Sequence, residues 1–220
     1  MLRESRKSMA PTPLIRRTGA LAAAAGLALA FASSPLAAGV QEGVDAWSAG
    51  DYARAIAEWQ GPAANGDADA LYNLAQAYRL GRGVAQDPLR ARELYRQAAD
   101  QGHVKAADNY GLLLFEQGEG DLAMPYIIAA SERGDPRAHY VLGLAHFNAD
   151  YAPRDWVRAF ALIALAKDSG LPQAASALEQ MEVYVPLAQR QQALSLAEQI
   201  GTEAGGRQRA LLAAADLPAS

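Results

Sequence analysis

The sequence predicts an all-α chain of stacked helix-turn-helix pairs, and three observations carry that prediction. Apolar residues recur at helical spacing, Leu71, Leu74, Ala75 and Tyr78 in one run and Ala91, Leu94, Tyr95 and Ala98 in the next. A glycine turn, Gly81-Arg82-Gly83, separates the two runs. The whole unit then returns, with Gly66, Gly102, Gly134 and Gly170 marking its boundaries at intervals of 36, 32 and 36 residues. Two helices of about a dozen residues cannot bury both of their apolar faces against one another, so such a unit is stable only with neighbours stacked on it.

Each element can be justified from the same register. After every boundary glycine an alanine stands at a fixed offset (Ala70, Ala106, Ala138, Ala174), followed four residues later by a large apolar residue (Leu74, Tyr110, Leu142, Leu178). In three units the next residue is small (Ala75, Gly111, Gly143), which lets two helices approach closely. The second helices align at Ala55, Ala91, Ala123 and Ala159, with Trp59, Tyr95, Ile127 and Ile163 four residues on. Asp51, Asp87 and Asp155 precede that alanine by four, where a carboxylate accepts from the free amides of a helix start, and Pro88 suits the first helical position.

Ahead of the repeats lies a different kind of segment. Residues 1–38 carry Arg3, Arg6, Lys7, Arg16 and Arg17 against Glu4, then an apolar run over residues 20–31, then a small-residue exit ending at Ala37-Ala38. That order predicts a secretory signal peptide cleaved after Ala38, because the apolar run is shorter than the roughly 20 residues of a membrane span. Arg16-Arg17 is followed by Thr18-Gly19-Ala20 where a twin-arginine signal prefers bulky apolar residues, so ordinary secretion is expected. The expected location is periplasmic or secreted. The 220 residues include no cysteine, which excludes disulfides, a thiolate metal site and a lipid-modified cysteine. Removing the signal takes five of the 20 basic and one of the 24 acidic residues and leaves a formal net charge of −8. That charge argues against nucleic acid and anionic membrane surfaces as partners, since both require positive charge.

In chain order, residues 39–66 read as an N-terminal capping helix pair, with Val40, Val44 and Trp47 on its first helix and Ala55, Ile56 and Trp59 on its second. Residues 67–185 hold the repeats. The unit between Gly102 and Gly134 has a shortened turn, Gln117-Gly118-Glu119-Gly120-Asp121, and Pro125 is expected in the first turn of the helix that follows. The loop over residues 148–153 has lost both turn glycines. Pro186 opens a C-terminal capping helix over residues 186–204, and residues 205–220, with Gly205-Gly206 and Pro218, are expected to form a flexible tail.

The pattern from Ala70 to Gly102, A-x-x-x-L-[AG]-x-x-Y-x-x-G-x-G-V-x-x-D-x-x-x-A-x-x-x-Y-x-x-A-A-x-x-G, resembles the Sel-one-like repeat family, a relative of the tetratricopeptide repeats. The remaining units match at the alanine, glycine and large-apolar positions, and the likeness extends over roughly residues 39–185. The resemblance implies a right-handed α/α superhelical solenoid used as a non-enzymatic interaction scaffold, commonly exported in bacteria, and it implies a protein or peptide partner, with regulation of an envelope system as one role. In such a stack the first helices line the concave side. By the resemblance to tetratricopeptide repeats, the groove positions lie two before, two after and five after the leucine-equivalent. They are Tyr72, Gln76 and Arg79, then Asp108, Leu112 and Phe115, then Tyr140, Leu144 and Phe147. Leu112 with Leu144 and Phe115 with Phe147 would form an apolar ladder beside Tyr72 and Tyr140, the composition of an interface core.

Catalytic constellations are missing from the pattern. His139 and His146 are seven residues apart, about two helical turns or 10 Å, too far to chelate one metal side by side, and His146 takes the place of Tyr78. No serine stands in a nucleophile elbow, and Gly81-Arg82-Gly83 lacks the lysine or third glycine of a phosphate loop. Neither a metal nor a cofactor is expected. The competing reading is a cell-wall hydrolase, an activity linked to certain cysteine-rich relatives with β-lactamase-like behaviour, and the absence of cysteine weakens that transfer.

Overall fold

Helix starts in this chain are set by short polar side chains reaching back to free amides. The computed structural model describes residues 35–215, with side chains over residues 39–207, all within one unit spanning residues 33–220. Residues 1–34 of the expected signal and residues 216–220 of the expected tail lie outside the described residues. Ten helices are found among the described residues and no strand: α1 (Pro35–Ser48), α2 (Tyr52–Ala64), α3 (Ala68–Leu80), α4 (Pro88–Asp100), α5 (Val104–Glu116), α6 (Gly120–Glu132), α7 (Pro136–Asn148), α8 (Trp156–Asp168), α9 (Pro172–Glu182) and α10 (Leu187–Ala215). The Asp51, Asp87 and Asp155 carboxylates accept from the amides of Arg54, Arg90 and Arg158 at 3.2, 2.9 and 2.9 Å. Asp67 and Asp135 cap α3 and α7 in the same way, and His103 Nδ1 accepts from the Ala106 amide at 3.0 Å to cap α5.

The helices pair as hairpins, α1 with α2, α3 with α4, α5 with α6 and α7 with α8, and each second helix also packs on the first helix of the next pair. That is the layout of an α/α solenoid. Its core is written in the repeat: Ala55, Ala70, Ala91, Ala106, Ala123, Ala138, Ala159 and Ala174 are all 0% exposed, so each aligned alanine marks a place where two helices touch without room for a longer side chain. Trp59, Tyr95, Ile127 and Ile163 are buried beside them. No described helix is long and apolar enough to cross a membrane.

Three details differ from the sequence-based expectation. Pro125 lies well inside α6 and not in its first turn, because the shortened loop starts that helix already at Gly120. α1 begins at Pro35, so cleavage after Ala38 would remove its first turn. The final helix does not stop at residue 204: α10 continues through Gly205-Gly206 to Ala215, and it packs on α8. The reason is lateral support. Ala204 lies 3.7 Å from where a Gly134 side chain would begin, and the Arg207 guanidinium donates to the Glu132 carbonyl at 3.2 and 2.8 Å, which secures α10 to the end of α6 beyond the two glycines.

Candidate functional site

First helices of successive pairs contribute to one cleft of about 360 Å³, lined by Arg79 of α3, by Asn109, Leu112, Phe115 and Glu116 of α5, by Arg137, Tyr140 and Val141 of α7, and by Gln173 of α9. Its walls are apolar for the greater part, with polar side chains set among them. Residues three or four apart on α5 and α7 share a face, so Leu112 with Phe115 and Arg137 with Tyr140 project together. Leu112, Phe115 and Tyr140 are half-buried, the state of a side chain that packs on the core by one edge and leaves the other open.

Polar groups are held at one end of this cleft. Arg137 Nη1 donates to the Asn109 side-chain oxygen at 3.1 Å, and its Nη2 pairs with Asp135 at 2.9 Å. Burial alone would raise the Asp135 carboxyl, but Arg137 and the amides of Arg137 and Ala138 outweigh it and hold the group below its ordinary range. Asp108 pairs with Arg133, yet its burial dominates and raises its pKa. Below Arg79 lies Tyr95, wholly buried, its phenol pushed up to about 12 by burial against the opposing influence of Arg79.

A second cleft of about 250 Å³ opens between α1 and α3, lined by Val44, Trp47, Trp59, Tyr72, Gln76 and Leu80. Tyr72 is fixed there by stacking on the His103 ring, centroids 4.5 Å apart, and its hydroxyl accepts from Gln76 at 2.8 Å.

The predicted groove residues therefore divide by location. Arg79, Leu112, Phe115 and Tyr140 share the larger cleft, and Tyr72 and Gln76 share the smaller one. Asp108 is taken up by Arg133. Leu144 is half-buried against the core cluster of α8, α9 and α10, and Phe147 lies against the rings of Trp156 and Tyr184 at 6.3 and 5.9 Å. Asn109, Arg137 and Gln173 were not picked out by the fixed offsets. Their signal was available in Arg137 and Gln173, each three residues after a boundary glycine, Arg137 one turn before the chosen Tyr140.

The histidines have structural surroundings. His139 is buried, which holds its imidazole below the ordinary pKa, and His146 Nδ1 lies 2.8 Å from the Pro153 carbonyl. No group of three or more His, Asp or Glu side chains among the described residues is placed to hold a metal ion.

Against known families, the Sel1 repeat model matches residues 68–103 and 136–171, the α3–α4 and α7–α8 hairpins with the residues that close them. The chain carries Sel1 repeats. Two solved structures share the fold. One is a protective antigen present in uropathogenic Escherichia coli strains displaying an SLR fold, 20% identical with a TM-score of 0.57 over 84% of this chain and 49% of that one. The other is a Sel1 repeat protein from Oxalobacter formigenes, 23% identical with a TM-score of 0.57 over 74% of this chain and 70% of that one. The chain thus spans about half the length of the Escherichia coli antigen. No curated protein matches the sequence significantly. Sel1 repeats generally mediate protein–protein interaction, and the larger cleft lies across the first helices of both matched repeats and of the pair between them.

Proposed function

We propose that the protein is an exported, non-enzymatic scaffold that docks a segment of a protein partner in the cleft across α3, α5, α7 and α9, and that this docking serves regulation or assembly in the bacterial envelope. One observation supports the reading above the others: four successive first helices supply side chains to a single open cleft whose apolar strip, Leu112, Phe115 and Tyr140, stands beside guanidinium and amide groups. An apolar centre framed by a few polar groups is what a peptide needs for both affinity and register. Export is supported by the order of charge, apolar run and small residues over residues 1–38.

Crosslinking pull-downs from an envelope fraction test this, comparing the wild type with a Leu112→Ala/Tyr140→Ala variant whose thermal melt is unchanged. A specific partner recovered by the wild type and lost from the variant is expected, with a mature N-terminus at Gly39. Retention of every partner by the folded variant would remove the cleft from consideration, and an intact cytoplasmic chain would remove export.

A further inference from the structure

At the Tyr95 end of the larger cleft one charged group has no counter-charge among the described residues. Arg79 is half-buried; its Nε and Nη2 donate to the Gln76 side-chain oxygen, at 3.4 and 3.1 Å, and its guanidinium stands against the Tyr95 hydroxyl. It pairs with no carboxylate among the described residues. The Tyr95 hydroxyl beneath it is wholly buried, and a neutral phenol supplies no counter-charge. The other charges nearby are already committed: Arg137 to Asp135 and Asn109, and Arg133 to Asp108. Among the residues that line the cleft, Arg79 is thus the guanidinium left without a carboxylate. Glu116, the remaining acid of the cleft, is exposed at the last residue of α5 and pairs with neither arginine.

A half-buried guanidinium without a counter-charge is costly unless a ligand supplies one. Its planar fork of donors matches a carboxylate, and such charge-assisted bonds are about twice as strong as neutral ones. The adjoining strip of Leu112, Phe115 and Tyr140 has no use for charge and fits an apolar side chain. A carboxylate carried on a side chain leaves the segment's own backbone free to run along the cleft from α3 to α9. We propose that Arg79 recognises an aspartate or glutamate side chain in the partner segment, and that Leu112, Phe115 and Tyr140 hold the apolar residue next to it. This deepens the docking role above and rests on it.

Selection of short random peptides displayed against the purified protein tests the assignment, followed by fluorescence anisotropy on the strongest binder. Enriched peptides are expected to carry an acidic residue beside an apolar one. Changing that acid to its amide should weaken binding about tenfold, and so should Arg79→Gln, roughly 1.4 kcal/mol at 25 °C. The two changes together should cost little more than either alone, Arg79→Lys should retain part of the affinity, and added salt should weaken the wild-type complex. Binders without acidic bias, or an Arg79→Gln protein with an unchanged melt and undiminished affinity, would overturn the carboxylate assignment and leave the groove standing. If no peptide is retained, or if retained peptides ignore Leu112→Ala/Tyr140→Ala, the groove itself is not a docking site.

Discussion

Residues 68–103 and 136–171 are two copies of one repeat that differ in what surrounds them. In the first, α4 has two helical neighbours, α3 and α5, and its outer face carries charge: Arg96 pairs with Glu93 and with Asp100, both at 2.8 Å. In the second, α8 has three neighbours, α7, α9 and α10, and the places of Glu93 and Arg96 are taken by Ala161 and Ala164, both buried. Beneath that outer face the cores agree position for position, Ala91, Leu94, Tyr95 and Ala98 against Ala159, Leu162, Ile163 and Ala166. The inner face of a repeat is thus dictated by its own hairpin, and the outer face by whether another helix covers it. Coverage by α10 changes the last repeat from one side of a stack into the middle of a three-way contact.

The largest expected effect comes from putting the outer residue of the first copy into the second. Ala161→Arg places a long charged side chain where there is neither space nor water, at a cost of about 3 kcal/mol or more in urea unfolding. Arg96→Ala removes a surface pair from the corresponding face of α4 and should leave the urea midpoint nearly unchanged. Hydrogen exchange over residues 187–207 reads the cause, since α10 should lose protection only in Ala161→Arg. Equal small effects would mean that α10 does not lie on α8 in solution.

A smaller contrast sits on the first helices. A methyl group at Gly143 would lie 2.8 and 2.9 Å from Ile163 Cγ1 and Cδ1 and 3.1 Å from the Ala159 carbonyl oxygen. At the same place in the first copy, Ala75 already carries that methyl and is buried without exposure. Gly143→Ala should therefore destabilise by about 1–2 kcal/mol despite the better helix former, and Ala75→Gly should cost a similar amount through lost propensity and packing. Adding Ile163→Val removes the Cδ1 contact, so the double variant should be more stable than the sum of the single effects. Strict additivity would place the cost of Gly143→Ala elsewhere.

Much of this was legible in the chain, because a repeat converts position into environment. Eight alanines in register turned out to be eight helix contacts, and Arg79, Leu112, Phe115 and Tyr140 could be assigned to one face from offsets alone. Offsets fail where a neighbour from outside the repeat intervenes. Leu144 and Phe147 occupy groove register, yet Tyr184 from beyond the repeat lies against Phe147, both pack against the cluster of α8, α9 and α10, and neither lines the cleft. The cover on α8 did leave a trace, for residues 159–166 read Ala-Phe-Ala-Leu-Ile-Ala-Leu-Ala, apolar on every face, which marks a helix enclosed on all sides. The continuation of α10 past Gly205-Gly206 left none, since it depends on Arg207 reaching a backbone carbonyl distant in sequence.

The smallest contrast concerns the turns. Gly81 and Gly83 have φ of 65° and 75°, and Ala149 and Tyr151 hold the same left-handed backbone at 67° and 62° without being glycine. The hydrogen bonds of the turn are retained, Asp87 to the Tyr78 carbonyl at 3.0 Å and Asp155 to the His146 carbonyl at 3.1 Å. What has changed is the chain position of one ring. In the first copy Gly83 leaves room for Tyr52, whose ring meets Trp47 edge-on at 4.7 Å; in the second, Gly120 leaves room for Tyr151, whose ring meets Phe115 edge-on at 6.1 Å. The tyrosine and glycine have exchanged places across one contact, and the strained backbone of Tyr151 is the cost of keeping its ring there. Tyr151→Gly alone should be close to neutral, because a strain of about 1–2 kcal/mol is relieved while an aromatic contact of about 0.5–1.5 kcal/mol is lost. Adding Gly120→Tyr rebuilds the first copy's arrangement, with the ring carried by the first residue of a helix, and should raise stability by about 1 kcal/mol over the wild type. Gly120→Tyr by itself should destabilise, since both rings then compete for one space, and a thermal-melt cycle over the four proteins measures the coupling. A cycle that closes with no coupling would show that the two tyrosines do not fill equivalent sites.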